Sequence, residues 1–137
     1  PPREVERLAA HVYDPKDFSA PVASGSHLFD ALVVIPCSMG TLSGIACGSS
    51  DTLITRCADV CLKEKRRLIL VPRETPLSLI QLRNMVAASE AGAVILPACP
   101  AFYSQPKSLA ELVDVLVGRV LDLLGLENDL YKRWEGE

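Results

Sequence analysis

Three short apolar runs punctuate the chain: Ala31 to Pro36, Leu68 to Pro72 and Ala93 to Pro97. Each is a continuous stretch of Val, Ile and Leu rather than an alternation, and each closes on a proline. Runs of that length bounded by turn residues read as strands buried on both faces. Between them the apolar spacing becomes helical. Cys37 to Thr41 forms a turn, and Ser38 caps a helix running to about Cys47. Asp51 is expected to cap a second helix, Thr52 to about Lys65, with Leu53, Cys57, Val60, Cys61 and Glu64 at helical spacing. Ser78 opens a helix to about Ala91, with Leu79, Leu82, Met85 and Val86 as its buried face and Gly92 as its stop. Ser108 with Glu111 forms a capping box for a last helix, which ends near Leu124 at Gly125. At the start, Pro1 to Val12 reads as a short amphipathic helix with Val5, Leu8, Ala9 and Val12 on one face. Tyr13 to His27 is a loop. Its segment Ala23 to Ser26 is small enough to let backbone approach a ligand, or is a plain connector.

Strands separated by helical crossovers predict a parallel sheet, hence an α/β fold. In such a sheet ligands sit beyond the carboxyl ends of the strands. The three exits, Cys37-Ser38, Arg73-Glu74 and Cys99 to Tyr103, would then line one edge. Arg73 and Glu74 stand there either as chemistry or as a solvated ion pair. Ser38 and Thr41 lie at a helix N-terminus, which serves capping or an anion. Gly40, Gly44 and Gly48 fall four apart and permit close packing of a helix or a flat ligand. Arg119 shares a helical face with Leu112, Leu116 and Leu123; it either binds an anion or pairs with a local acid such as Asp122.

Composition narrows the class. The chain has 137 residues, 49% of them hydrophobic, enough for one domain, residues 1–137, with a real core. A net charge of −3 leaves no nucleic-acid footprint. No apolar run reaches membrane-spanning length, and no secretory signal opens the chain. Five cysteines, an odd number, suggest reduced thiols in a cytoplasm. Cys57 and Cys61 share a helical face, but no nearby Cys or His completes a metal site. There is no G-x-G-x-x-G and no P-loop.

Longer motifs carry a resemblance. P-C-S-M-G-T-L-S-G (Pro36 to Gly44), A-D-V-C-L-K-E-K-R-R (Ala58 to Arg67), L-V-P-R-E-T-P-L (Leu70 to Leu77), G-A-V-I-L-P-A-C-P-A-F-Y (Gly92 to Tyr103) and the closing Arg133-Trp134 resemble the bacterial flavin prenyltransferases. That family was long described as the small subunit of aromatic acid decarboxylases. The resemblance implies a flavodoxin-like, Rossmann-type parallel sheet and assembly as a dodecamer with sites at subunit interfaces. It implies FMN as cofactor, dimethylallyl phosphate as substrate and no metal. The expected reaction alkylates N5 of reduced FMN with loss of phosphate and closes a ring at C6. The prenylated FMN then passes to a partner decarboxylase. By the same resemblance, Ser38, Met39, Gly40, Thr41 and Arg73 would contact the flavin, and Glu74 would move protons. Lys63, Tyr103 and Arg119 would clamp the phosphate, Lys63 from a neighbouring subunit, and Trp134 would stand near the prenyl pocket.

The chain departs from the family pattern at its start. Members open with a strand and a Gly/Ser-rich turn that cradles the FMN phosphate; the first strand–loop–helix is expected to be missing here. Two other readings remain open: a non-catalytic FMN-binding scaffold, and a related flavin-dependent decarboxylase. The latter carries an Asn- and Met-bearing segment after the third strand, where this chain has Pro100 to Tyr103.

Overall fold

The structure is a computed structural model, and it describes residues 2–103 and 105–134. Pro1, Ser104 and residues 135–137 lie outside that description. Three parallel strands form one sheet in the order β1-β2-β3: β1 (Ala31–Cys37), β2 (Arg67–Pro72) and β3 (Val94–Ile95). The helices are α1 (Pro2–Glu6), α2 (Met39–Ala46), α3 (Leu53–Lys63), α4 (Leu79–Ala91) and α5 (Leu109–Leu124), with a 3-10 turn at Pro21–Ala23.

Strand β2 is the centre of the molecule, because its side chains are buried on both faces. Successive residues of a strand point to opposite sides. Leu68 and Leu70 join Leu42, Ile45, Ala58, Cys61 and Ala88, from α2, α3 and α4, in one core. Ile69 and Val71 meet Val120, Leu116 and Leu123 of α5 in another. The result is three layers: α2, α3 and α4, then the sheet, then α5. Gly44 lets α2 approach α3 closely, since a Cβ there would lie 3.2 Å from Thr55 Cγ2. Packing, rather than a ligand, uses that glycine. All five cysteines are free thiols. Burial pushes Cys37 and Cys61 up to about 11, so both stay protonated in the core. Among the described residues no helix is long and apolar enough to cross a membrane, and no cluster of ligating side chains could hold a metal.

Several expectations are corrected. Helix α1 stops at Glu6, and Val5, Leu8 and Val12 are exposed, so the expected amphipathic face is not a buried one. Asp51 does not cap α3. Thr52 does, in a reciprocal box with Thr55, while Asp51 accepts a hydrogen bond from Ser49 Oγ at 2.6 Å. The box at Ser108 is half formed: Ser108 accepts from Glu111 N, but the Glu111 carboxylate accepts from Lys107 N. The third strand spans only Val94–Ile95, although the chain stays beside β2 for longer: Leu96 N and Ala98 N donate to Leu70 O and Pro72 O at 2.8 Å each before the bend at Ala98. The face assigned to α4 is also displaced. Ala88 is its buried residue, whereas Leu79, Leu82 and Val86 are exposed and Met85 is partly buried.

Candidate functional site

The parallel register sets Cys37 beside Pro72, so Ser38 and Arg73 leave the sheet side by side. Ser38 caps α2: its Oγ accepts from Thr41 N at 3.1 Å and lies 3.0 Å from Thr41 Oγ1. The capping expectation is met, and it occupies one of the N–H groups that could otherwise face an anion. Met39 and Gly40 occupy the first turn of this helix, and a Cβ on Gly40 would meet little besides Ser38 Oγ at 3.9 Å.

Beyond β2 and β3 lies a cavity of about 350 Å³, lined by Arg73, Glu74, Leu77, Met85, Ala98 and Cys99 among others. Its wall is mainly apolar, with one cation and one carboxylate at the rim. Arg73 and Glu74 do not form the ion pair considered from sequence. Glu74 Oε1 accepts from Thr75 N at 3.0 Å, which leaves its second oxygen available, and among the described residues Arg73 has no ion-pair or hydrogen-bond partner. A mainly apolar cavity beside a cation with no partner among the described residues suits an isoalloxazine ring, whose faces are apolar and whose edge carries carbonyl acceptors. Arg73, with the α2 turn next to it, is the group that would hold it.

A second cluster gathers around the tail. Tyr103, in the loop leaving β3, meets Trp134 edge to face, with ring centroids 6.0 Å apart. Arg119 is half exposed on α5, beside the buried stripe rather than in it. Its Nη1 donates to Asp122 Oδ2 at 3.3 Å and to Tyr131 OH at 3.4 Å. The local-acid alternative is therefore the observed pairing. Asp122 receives more: Arg133 Nη2 at 2.7 Å on Oδ1, Arg133 Nη1 at 3.1 Å and Tyr131 OH at 2.6 Å on Oδ2, and Asn128 Nδ2 at 2.9 Å. Hydrogen bonds from Arg133 first, then from Tyr131, hold its carboxyl well below the usual carboxylate range. Sequence reasoning named Asp122 only as a partner for Arg119. The clue it lacked was the run Asn128, Tyr131, Arg133, three donors spaced through a segment without helical periodicity.

Lys63 stands apart. It ends α3, on the amino-terminal side of β2, and pairs with Glu64 at 2.9 Å. One chain thus brings Ser38, Met39, Gly40, Thr41, Arg73 and Glu74 to one sheet edge and links Tyr103, Trp134 and Arg119 through the tail, but leaves Lys63 at the opposite edge. The loop segment Ala23 to Ser26 is also taken up by protein: Arg66 donates to Gly25 O and to His27 O, and Arg56 donates to Ala23 O. It behaves as a clamped connector.

Comparison with known proteins bears on this geometry. The flavoprotein family model matches residues 3–121. The flavin prenyltransferase UbiX of Thermoplasma acidophilum is 58% identical over 95% of this chain and 72% of its own length. A crystal structure of AnUbiX (PadA1) in complex with FMN and dimethylallyl pyrophosphate has a TM-score of 0.97 at 52% identity, covering 99% of this chain and 72% of that one. A dodecameric FMN-dependent UbiX-like decarboxylase from Escherichia coli O157:H7 has a TM-score of 0.95 at 49% identity, covering 98% and 72%. Identity at that level along nearly the whole sequence joins the motifs, the parallel sheet and the cavity at its carboxyl edge into one assignment: this chain belongs to the flavin prenyltransferase family of flavoproteins.

Proposed function

We propose that this protein transfers a dimethylallyl group from dimethylallyl phosphate to N5 and C6 of reduced FMN. The observation that carries the reading is the apolar cavity lined by Glu74 and by Arg73, which has no partner among the described residues, in a chain 52% identical to a protein whose structure is a complex with FMN and dimethylallyl pyrophosphate. Bound reduced FMN supplies the two nucleophilic positions at which the prenyl carbons attach.

The chain's own residues have separable tasks. Arg73 and the turn Ser38 to Thr41 hold the flavin, with Met39 and Gly40 shaping its approach. Arg119, Lys63 and the Tyr103 hydroxyl hold the phosphate. Cations there favour departure of the phosphate with the electron pair of the broken C–O bond, because negative charge grows on it as it leaves. Glu74 carries a proton between the reacting atoms and the phosphate. Its Oε1 is fixed by Thr75 N, so its other oxygen is the one that exchanges. The apolar lining from Leu77, Met85 and Ala98 keeps water from the allylic carbon. Trp134, set against Tyr103, closes the prenyl side.

Lys63 lies across the sheet from the other groups, which supports its acting at a neighbouring subunit's site in a homo-oligomer, a dodecamer on the precedent of the Escherichia coli relative. The free thiols favour a reducing cytoplasm. A prenylated flavin is a cofactor in its own right, and a decarboxylase is the partner proposed to receive it. The test is an anaerobic incubation with reduced FMN and dimethylallyl phosphate, followed by mass spectrometry of the flavin. A flavin heavier by one prenyl unit is expected. Intact flavin binding with no such product overturns the reading and leaves a flavin-binding scaffold.

A further inference from the structure

Residues 126–134, after α5, form neither helix nor strand, yet the protein holds them at several points. Gly118 leaves the room it needs: a Cβ there would lie 2.7 Å from Tyr131 Cε1 and 3.0 Å from Asn128 Oδ1. Only a residue without a side chain lets the Tyr131 ring lie on the helix. One turn further on, Asp122 takes hydrogen bonds from Asn128, Tyr131 and Arg133, the last as a two-pronged fork. The same carboxylate accepts from Arg119. Next to Arg133 in the chain, Trp134 meets Tyr103. Asp122 is therefore bonded to Arg119 and, through one residue of the tail, sets where Trp134 can reach.

The geometry points to Asp122 as a positioning residue: it aims the Arg119 guanidinium and, through Arg133 and Tyr131, straps the tail across α5 so that Trp134 stands against Tyr103 at the prenyl-phosphate end of the site. Gly118 is the seat of that strap. The inference rests on the proposed roles of Arg119, Tyr103 and Trp134. Asp122 itself does not touch substrate. It accepts four side-chain partners with two oxygens, and an amide in its place keeps the shape while losing both the charge and one acceptor.

Trp134 is the only tryptophan, so its emission reports the tail independently of turnover. The experiment uses the FMN-loaded protein and the variants Asp122→Asn, Arg133→Gln and Arg119→Ala, with the anisotropy of Trp134 emission, flavin affinity and the KM and kcat for dimethylallyl phosphate as readouts. Trp134 is already 70% exposed, so its mobility rather than its colour reports the strap. Asp122→Asn is expected to lower the anisotropy of the emission and raise KM by roughly tenfold, the scale of one lost charge-assisted hydrogen bond, with flavin affinity unchanged. Arg133→Gln should move both readouts the same way by less. Its side chain is half exposed, so it decides the matter should Asp122→Asn fail to fold. Unmoved anisotropy in these variants overturns the strap. Lowered anisotropy with an unchanged KM, where Arg119→Ala does raise KM, overturns the positioning role. An unaltered KM in Arg119→Ala overturns the phosphate role of Arg119 itself, and anisotropy alone then decides whether Asp122 anchors the tail.

Discussion

Glu74 and Arg73 are adjacent in the chain and opposite in charge, yet they do not neutralise each other. Thr75 N takes one carboxylate oxygen of Glu74, and Arg73 lines the cavity with no ion-pair or hydrogen-bond partner among the described residues. A cation without an internal partner at a strand exit is available to an incoming anion or carbonyl. The pair divides cleanly between binding and proton transfer, and a substitution can separate the two. Glu74→Gln keeps the size and the hydrogen bond to Thr75 N but cannot exchange a proton. Flavin binding should be unchanged by titration, while the rate of prenylated-flavin formation falls about 10²- to 10⁴-fold, the usual range for loss of a positioned acid–base group. A variant with unchanged rate would remove Glu74 from the chemistry. That these two residues stand at the carboxyl edge of the sheet, lining the cavity, was legible from their place after an apolar run. The Arg119–Asp122 pairing was one of the two alternatives left open, but the half exposure of Arg119 and the tail donors gathered on Asp122 were not legible, because helical spacing puts residues on a face without saying how the tail covers it.

Elements show where sequence reasoning works by local rules and where it stops. Caps are local, and Ser38, Ser78, Gly92 and Gly125 all terminate helices as their types suggest. Gly92 does so with φ at 117°, in the region that favours glycine. Asp51 failed as a cap only because Thr52, one residue on, pairs reciprocally with Thr55. Burial is not local. Leu79 and Ile80 of α4 are 60% and 71% exposed, so the apolar side of that helix is not the side that meets the sheet. Apolar residues in such number on a helix surface are ordinarily covered by another molecule, consistent with the proposed assembly. Helix α4 begins next to the cavity, since Leu77 precedes its cap and Met85 lines the wall. Ser78 accepts from Gln81 N at 3.2 Å, and Gln81 Oε1 accepts from Ser78 N at 2.8 Å. Ser78→Ala removes the first of these bonds and should cost about 1 kcal/mol in urea unfolding. A loss below a few tenths would mean that tertiary packing, not the cap, holds the helix start.

At the scale of the whole molecule, the question is why Lys63 and Glu74 sit at opposite ends of the same segment. Strand β2 runs between them, with its amino end near Lys63 and its carboxyl end at Glu74. Within one chain the buried strand holds them apart, so a site that needs both must take one from a second copy. Lys63 is held at present by Glu64, an exposed pair of little strength, so it is free to be recruited across an interface. Subunit mixing tests this directly. Lys63→Ala and Glu74→Gln proteins, each impaired alone, are unfolded together, refolded and allowed to assemble at equal ratio. If each site draws Glu74 from one subunit and Lys63 from its neighbour, random assembly makes roughly a quarter of the sites intact, and about that fraction of wild-type product formation should return. If both residues served the same subunit, every chain would carry one defect and mixing would restore nothing. The recovered rate therefore distinguishes a site shared between subunits from one contained in a single chain, without reference to the size of the assembly.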